Sequence, residues 1–292
     1  MKYIPFLLVL LLLLGCFPGC SVEPSADIAA TTLPVYTFTA RLCEGTGLSV
    51  DRLVTEKISC LHDYTLQVSQ MRAIQGARVI VVNGAGLEEF LDDALSNASY
   101  VVDSSEGILL HEGNHHDHEH DHNGHIHEED PHIWLSPANA IIMAENIANN
   151  LADIFPQYSS VIADNLFSLV ADLKKLQAYG EASLSSLSCR ELVTFHDGFS
   201  YLAESFDLTI LKALEEESGS EASAAQLIDL CGLVDAHKLP AVFTEINGST
   251  SAASIIAAET GIAVYALDMV MSGDDYFEAM YRNIDTLKEA LQ

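Results

Sequence analysis

Short apolar runs alternate with segments of helical periodicity along most of this sequence. Eight of these runs are predicted strands, at residues 27–32, 48–53, 78–82, 100–102, 191–195, 208–211, 241–244 and 263–267. Strands separated by helices form parallel sheets, because a parallel pair needs a long crossover connection. The alternation therefore predicts an α/β protein, and 292 residues are enough for two domains of ordinary size.

Two long helical stretches follow each other in the middle of the chain. The first is predicted to begin at Ser136 and Pro137, since serine is a preferred N-cap and proline suits the first helical position. Apolar residues recur at helical spacing up to residue 154 and again through 157–187. Two successive long helices between two β/α halves predict a connector between domains. A final helix is predicted at 275–291.

The N-terminus has the pattern of an export signal. After Met1 and Lys2, the apolar run Tyr3–Leu14 is shorter than the roughly 20 residues that span a bilayer. Its end, Leu-Leu-Gly-Cys16, resembles the lipobox of bacterial lipoproteins, in which the cysteine is lipidated and becomes the first residue. We expect lipidation at Cys16, with lipidation at Cys20 or an ordinary signal peptide cut nearby as the alternatives.

The charge of the chain is strongly negative. Lys and Arg number 13 and Asp and Glu 42, which gives a formal net charge of −29. Such a surface repels phosphate backbones and raises the local concentration of cations. We therefore expect no nucleic-acid partner.

Residues 111–130 have no apolar periodicity and contain eight histidines together with seven acidic residues. The histidines are His111, His115, His116, His118, His120, His122, His125 and His127. We interpret this segment as a solvated loop that binds metal through its imidazoles.

Six cysteines occur, at positions 16, 20, 43, 60, 189 and 231, without a Cys-x-x-Cys pair. Export permits disulfides, and Cys43 with Cys60 is one pairing open to the chain. Buried free thiols are the alternative.

Several polar side chains fall where predicted strands end, and one more precedes the first long helix. They are His62, at the end of the short run 57–61, and His132, His196, Glu245 and Asp268. Ligands of parallel α/β sheets bind beyond the carboxyl ends of the strands. Three imidazoles and a carboxylate suit a divalent first-row metal, and zinc accepts such a four-coordinate set. The joint placement of these residues therefore predicts a site for a divalent metal.

Three segments resemble one known family. They are Asp130–Pro137, the run Phe195–Phe199 with Tyr201 and Leu202, and the tail from Asp275 to Leu291. Together they are similar to the zinc and manganese solute-binding lipoproteins of ABC importers, and the similarity extends over about residues 27–292. The resemblance implies two β/α lobes, each with a parallel four-stranded sheet covered by helices, joined by a long rigid connecting helix, with metal between them.

The resemblance also implies a ligand set, namely His62, His132, His196 and Asp268. Histidine at the third position is typical of zinc carriers, whereas manganese carriers have glutamate there, so we expect Zn²⁺ with Mn²⁺ as the alternative. The chain departs from the family around the first ligand, where Cys60-Leu61-His62 replaces Asp-Pro-His. Cys60 is therefore an additional candidate ligand, and strand alternation would place it on the same side as His62. Glu245, at the end of its strand, is another additional candidate ligand.

We expect five segments: a lipoprotein signal peptide (1–15), a linker from the lipidated cysteine (16–26), an N-terminal lobe (27–155, including the His-rich loop 111–130), a connecting helix (156–188) and a C-terminal lobe (189–292). By this interpretation the protein is a monomer on the outer face of the cytoplasmic membrane, held there by its lipid.

The predicted function is that of an extracytoplasmic receptor, not an enzyme, which hands Zn²⁺ to the permease and ATPase of an ABC importer. The loop would capture or sense zinc before transfer to the inner site. Alternatives are a manganese or iron carrier, a metal-binding surface adhesin or zinc store, and a zinc hydrolase with Glu245 or Asp268 as general base. Neither His-Glu-x-x-His nor Gly-x-Ser-x-Gly occurs to favour a hydrolase.

Overall fold

The computed structural model describes residues 26–57, 61, 64–96, 98–111, 129–215 and 222–292. Several predictions concern residues outside these ranges. They are the signal peptide with Cys16 and Cys20, the candidate ligands Cys60 and His62, and the loop histidines other than His111.

The first half folds into a four-stranded parallel sheet with helices. Its strands are β1 (Ile28–Ala30), β2 (Val50–Arg52), β3 (Val79–Val82) and β4 (Val101–Asp103), in the order β2-β1-β3-β4. Its helices are α1 (Leu33–Leu42), α2 (Val68–Gly76) and the short α3 (Asp92–Leu95). Each strand overlaps its predicted run, and its ends differ from the predicted ends by at most two residues.

The second half repeats this arrangement. Its strands are β5 (Glu191–His196), β6 (Thr209–Glu215), β7 (Ala241–Glu245) and β8 (Ala263–Leu267), in the order β6-β5-β7-β8. Its helices are α6 (Ser200–Ser205), α7 (Ala224–His237), α8 (Ser251–Thr260) and α9 (Tyr276–Leu291). The described strands therefore form two parallel sheets with the same order, and the predicted α/β two-lobe class is confirmed.

Two helices occupy the middle of the chain. Helix α4 (Pro137–Ile154) begins after Ser136, whose Oγ accepts a hydrogen bond from the Asn139 amide at 3.4 Å. Helix α5 (Ser159–Leu184) has 26 residues and is therefore about 39 Å long. Its side chains contact both halves, because Asp172 binds Arg41 of α1 at 2.7 Å and Tyr179 hydrogen-bonds Asp285 of α9 at 2.5 Å. The long connecting helix is thus confirmed.

A continuous apolar core joins the two halves around α5. Ile28, Trp134, Leu169, Leu202 and Ile284 all belong to one cluster of buried side chains. Each sheet also has a smaller cluster of its own, with Val193 and Val242 in the second half and Ala29 and Ile80 in the first. Apolar burial is the main stabilising contribution in folding, so the shared cluster holds the two halves together.

Cys43, Cys189 and Cys231 carry free thiols. Cys43 is buried, and burial raises the pKa of its thiol to about 12. Of the two alternatives, free thiols are therefore what the structure has at these three positions, and Cys60 lies outside the described residues. In the part of the chain that the structure describes, every helix is too short or too polar to cross a bilayer.

Candidate metal site

The two described candidate histidines lie side by side. His196 is the last residue of β5, and His132 comes directly before the 3-10 turn Ile133–Leu135 that leads into α4. Their ring centroids are 5.3 Å apart, with an angle of 88° between the ring planes. Both residues are 3% exposed. One imidazole from each half of the chain therefore lies in the same buried place.

A carboxylate orients His132. Asp130 Oδ1 lies 2.7 Å from Nδ1 of His132 and also accepts the backbone N–H of His132 at 3.0 Å. Burial alone would raise the pKa of Asp130, but the hydrogen bond and the charge of His132 hold that pKa below its usual value. Because a carboxylate only accepts, Nδ1 of His132 carries the proton. Its Nε2 is buried and has no hydrogen-bond partner among the described residues, so its lone pair is available to a metal.

His196 has a similar partner. Glu245, the last residue of β7, places Oε1 at 3.0 Å from Nδ1 of His196, and both side chains are almost fully buried. Strands β5 and β7 are neighbours in the second sheet, so their carboxyl ends bring these two residues together. The Glu245 carboxylate therefore lies at ion-pair distance on the Nδ1 side of the His196 ring, which makes Nε2 the candidate ligating nitrogen.

Gly198 allows the ring of His196 to lie close to the backbone. A Cβ atom at position 198 would be 2.7 Å from Cδ2 and 2.8 Å from Nε2 of His196, and 2.7 Å from Cε of Met269. Such distances are shorter than ordinary Cβ contacts, so a side chain at position 198 would force the imidazole and the Met269 methyl group to shift. Glycine leaves the space that the candidate ligand occupies.

Asp268 follows β8 and is held in place from several directions. Asn283 of α9 accepts the backbone N–H of Asp268 at 2.8 Å and donates to its carbonyl at 2.7 Å. Oδ1 accepts the N–H of Val270 at 2.8 Å, and Oδ2 lies 3.4 Å from Nη2 of Arg282. Val270 has a φ of 60°, which is strained for a β-branched residue, so the turn after Asp268 is fixed by these contacts.

The described residues bring together His132, His196 and Glu245, and Asp268 is at the end of the next strand. They contain no group of three His, Cys, Asp or Glu side chains arranged to hold a metal. Within the described ranges, the histidine pair is the part of the predicted ligand set seen in direct proximity.

The segment that carries His132 is bonded to the second half. The indole N–H of Trp134 donates to the carbonyl of Met269 at 2.8 Å, and the hydroxyl of Tyr276 donates to the carbonyl of Trp134 at 2.8 Å. The hydroxyl of Tyr201 donates to the carbonyl of Asp130 at 3.0 Å. The first two bonds hold the turn at Trp134, and the third holds Asp130, whose side chain orients His132, against the lobe that carries His196.

Comparison with known proteins agrees with this architecture. The family model described as zinc-uptake complex component A periplasmic, ZnuA, matches residues 28–290. The chain belongs to this family. A ZnuA crystal structure shares the fold with a TM-score of 0.80 and 28% sequence identity, over 92% of this chain and 100% of that one.

Two ZnuA-family comparisons concern zinc directly. The zinc-binding lipoprotein AdcA of Streptococcus pneumoniae (strain ATCC BAA-255 / R6) is 30% identical over 294 residues, which cover 93% of this chain and 58% of AdcA. This chain therefore spans little more than half the length of AdcA. The crystal structure of the Zn(II)-bound ZnuA-like domain of S. pneumoniae AdcA has a TM-score of 0.76 and 26% identity, over 91% of this chain and 99% of that domain.

Among the histidines of the His-rich loop of this ZnuA-family chain, the structure describes His111. Its ring stacks on Tyr201 with 4.2 Å between centroids and 12° between planes, and its Nε2 lies 2.8 Å from Oε2 of Glu204. His111 thus contacts α6 of the second half.

A third buried carboxyl group, that of Glu88, lies near the end of the first sheet. Glu88 accepts hydrogen bonds from the Thr31 hydroxyl at 2.6 Å and from the amides of Asn83 and Gly84 at 2.7 and 3.1 Å. The side chain of Asn83 donates to the carbonyl of Pro131 at 3.0 Å. Burial raises the pKa of Glu88 to about 7 despite these donors. Sequence reasoning missed Glu88, Asp130 and Tyr201 as parts of this framework, although an acidic residue two positions before His132 was a signal for Asp130.

Proposed function

We propose that this chain is the extracytoplasmic zinc receptor of an ABC importer. It binds Zn²⁺ between its two lobes and delivers the ion to a membrane permease, whose ATPase drives uptake. The observation that carries this proposal is the buried pair of His132 and His196, one from each half, with a carboxylate behind Nδ1 of each ring. The family match and the zinc-bound relative support the choice of ion.

The proposed ligands are His62, His132, His196 and Asp268, with Cys60 as an additional candidate. Zinc prefers neutral imidazole nitrogen, and a carboxylate on the other ring nitrogen raises the basicity of the ligating one. Asp130 and Glu245 supply those carboxylates. Glu245 therefore acts through His196 and is not itself a ligand. Binding and release of the ion complete the function, and no chemical bond of a substrate is broken.

The N-terminal pattern supports a location at the membrane, and the charge supports a role in collecting cations. We propose that Cys16 carries the lipid, which keeps the protein at the outer face of the cytoplasmic membrane. A net charge of −29 concentrates cations near the surface. The His-rich loop then captures zinc before it reaches the inner site.

The test is a chelator-competition titration of the mature chain with Zn²⁺, beside the variants His132→Ala, His196→Ala and His237→Ala. His237 is the matched control, because its Nδ1 lies 2.9 Å from Oε2 of Glu191 in a similar but more exposed pair. We expect one tight zinc in the wild type and in His237→Ala. Removing a residue that only orients a metal ligand lowers metal affinity by roughly 10- to 100-fold. His132→Ala and His196→Ala remove the ligands themselves, so their zinc affinity should fall by more than that.

Deletion of residues 112–128 separates the inner site from the loop. The deleted protein should keep one tight zinc, because His132 and His196 lie outside the deletion. Tight binding that disappears with the loop alone would instead make the protein a histidine-rich zinc scavenger.

A further inference from the structure

One phenol of the second half holds both ends of the His-rich segment. Tyr201, on α6, is 2% exposed. Its oxygen accepts the backbone N–H of His111 at 3.0 Å and donates to the carbonyl of Asp130 at 3.0 Å, and its ring stacks on the ring of His111. Burial raises the pKa of Tyr201 to about 12, so the phenol keeps the proton that it donates.

The hydrogen bonds around Tyr201 extend, through Asp130, to the candidate ligand His132. The Asp130 amide donates to the carbonyl of His111 at 2.9 Å, which closes the base of the segment. The side chain of Asp130 then accepts both the backbone N–H and the Nδ1–H of His132. Tyr201 thus bonds the main chain of the residue whose side chain orients His132. These contacts connect Tyr201 of the second lobe, through Asp130, to the imidazole ring of His132 in the first lobe.

We infer that Tyr201 is a positioning residue for the zinc site, which fixes the base of the His-rich segment and the Asp130–His132 pair against the lobe that carries His196. The zinc role of the site rests on the proposed function. The positioning of His132 rests on the contacts above and can be measured without metal.

Tyr276 provides a matched control. It is also a buried phenol of the second half that donates to a backbone carbonyl of the first, that of Trp134, at 2.8 Å. Its hydrogen bond goes to Trp134, which follows His132 in the chain, and does not involve Asp130. Tyr201→Phe and Tyr276→Phe therefore each remove one hydroxyl and one donated hydrogen bond between the halves. Only Tyr201→Phe releases Asp130, and it also removes the acceptor of the His111 N–H, at the other end of the same segment.

The experiment compares the mature wild-type chain with Tyr201→Phe and Tyr276→Phe. In metal-free protein with ¹⁵N-labelled histidine, the Nδ1–H of His132 should give a downfield resonance, which His132→Ala assigns by removing it. We expect that hydrogen to exchange with solvent about tenfold faster in Tyr201→Phe and at the wild-type rate in Tyr276→Phe. Zinc affinity from chelator competition should fall about tenfold in Tyr201→Phe alone, the lower end of the usual cost of losing an outer partner.

The outcomes are distinct. Wild-type exchange and zinc affinity in Tyr201→Phe would overturn the inference, and so would equal changes in Tyr276→Phe. If the wild type binds no zinc tightly but the exchange rises only in Tyr201→Phe, the positioning of His132 stands and the proposed function is wrong.

Discussion

Glu245 Oε1 lies 3.0 Å from Nδ1 of His196, and these side chains are 4% and 3% exposed. The two residues end neighbouring strands, so the second sheet itself sets their separation. Asp130 Oδ1 is hydrogen-bonded to Nδ1 of His132 at 2.7 Å, from within a single turn of chain. A carboxylate on the Nδ1 side of an imidazole favours the tautomer with the proton on that nitrogen, which leaves Nε2 to bind a metal.

Glu245→Gln should weaken zinc binding by about 10- to 100-fold, because the amide is a poorer acceptor for Nδ1–H and removes the negative charge behind the ring. Chelator competition measures the change. Glu191→Gln is the control, since it alters a comparable but more exposed pair with His237. Equal affinities of Glu245→Gln and wild type would remove Glu245 from the site.

Gly198→Ala should displace the ring of His196, because the added methyl would lie 2.7 Å from its Cδ2 and 2.7 Å from Met269 Cε. We expect at least about a tenfold loss of zinc affinity, comparable to losing a partner that orients a ligand. Gly232→Ala, on α7, is the control, since nothing lies within 4 Å of its Cβ position. Alanine there should stabilise the helix by about 0.5 to 1 kcal/mol and leave zinc binding unchanged. A Gly198→Ala protein with wild-type affinity would show that the ring can move without cost.

Much of the fold was predictable from the sequence, because strand and helix periodicities are local. The end of β5 located His196, and the Ser136-Pro137 cap located the start of α4. The partners of the histidines were harder to predict. Glu245 was a candidate ligand from its place at a strand end, but its position behind His196 depends on which strands are neighbours, and the sequence does not state that order. Tyr201 looked like part of a motif, and its role depends on packing between halves that are distant in the chain.

The stability of the metal-free protein should depend on pH through Glu88. Its pKa is raised from an ordinary 4.5 to about 7, so the native state retains a proton that the unfolded state releases between these values. The resulting stabilisation is fully present below about pH 4.5 and is lost as the pH rises through about 7, with a total of about 3 kcal/mol. Urea unfolding at pH 5 and pH 7.5 should therefore show a smaller loss of stability in Glu88→Gln than in the wild type.

The exposed neighbour Glu89 gives the control for that comparison. Glu89→Gln should follow the wild-type pH dependence, because its side chain is solvated in the native state. If Glu88→Gln and Glu89→Gln have the same dependence on pH, the carboxyl group of Glu88 does not retain a proton in the native state.

Zinc affinity should itself fall steeply below about pH 6, because a histidine must lose its proton before it can bind a metal. Competition titrations from pH 7.5 to pH 5 measure this dependence. A flat affinity over that range would contradict coordination by imidazole. The fall should be the same in the protein without residues 112–128, since the inner histidines remain.

Asp268→Asn tests the fourth proposed ligand. The amide can keep the contact with the Val270 N–H through its oxygen, so the turn should stay folded, but it removes the charge that would face Zn²⁺. We expect at least about a tenfold loss of zinc affinity with little change in thermal unfolding. Arg282→Gln is the informative companion, because Arg282 Nη2 lies 3.4 Å from Asp268 Oδ2 and competes with an arriving cation for that carboxylate. Its removal should tighten zinc binding in the wild type but not in Asp268→Asn. If Asp268→Asn binds zinc like the wild type, Asp268 serves only to hold the turn, and the fourth ligand must come from elsewhere.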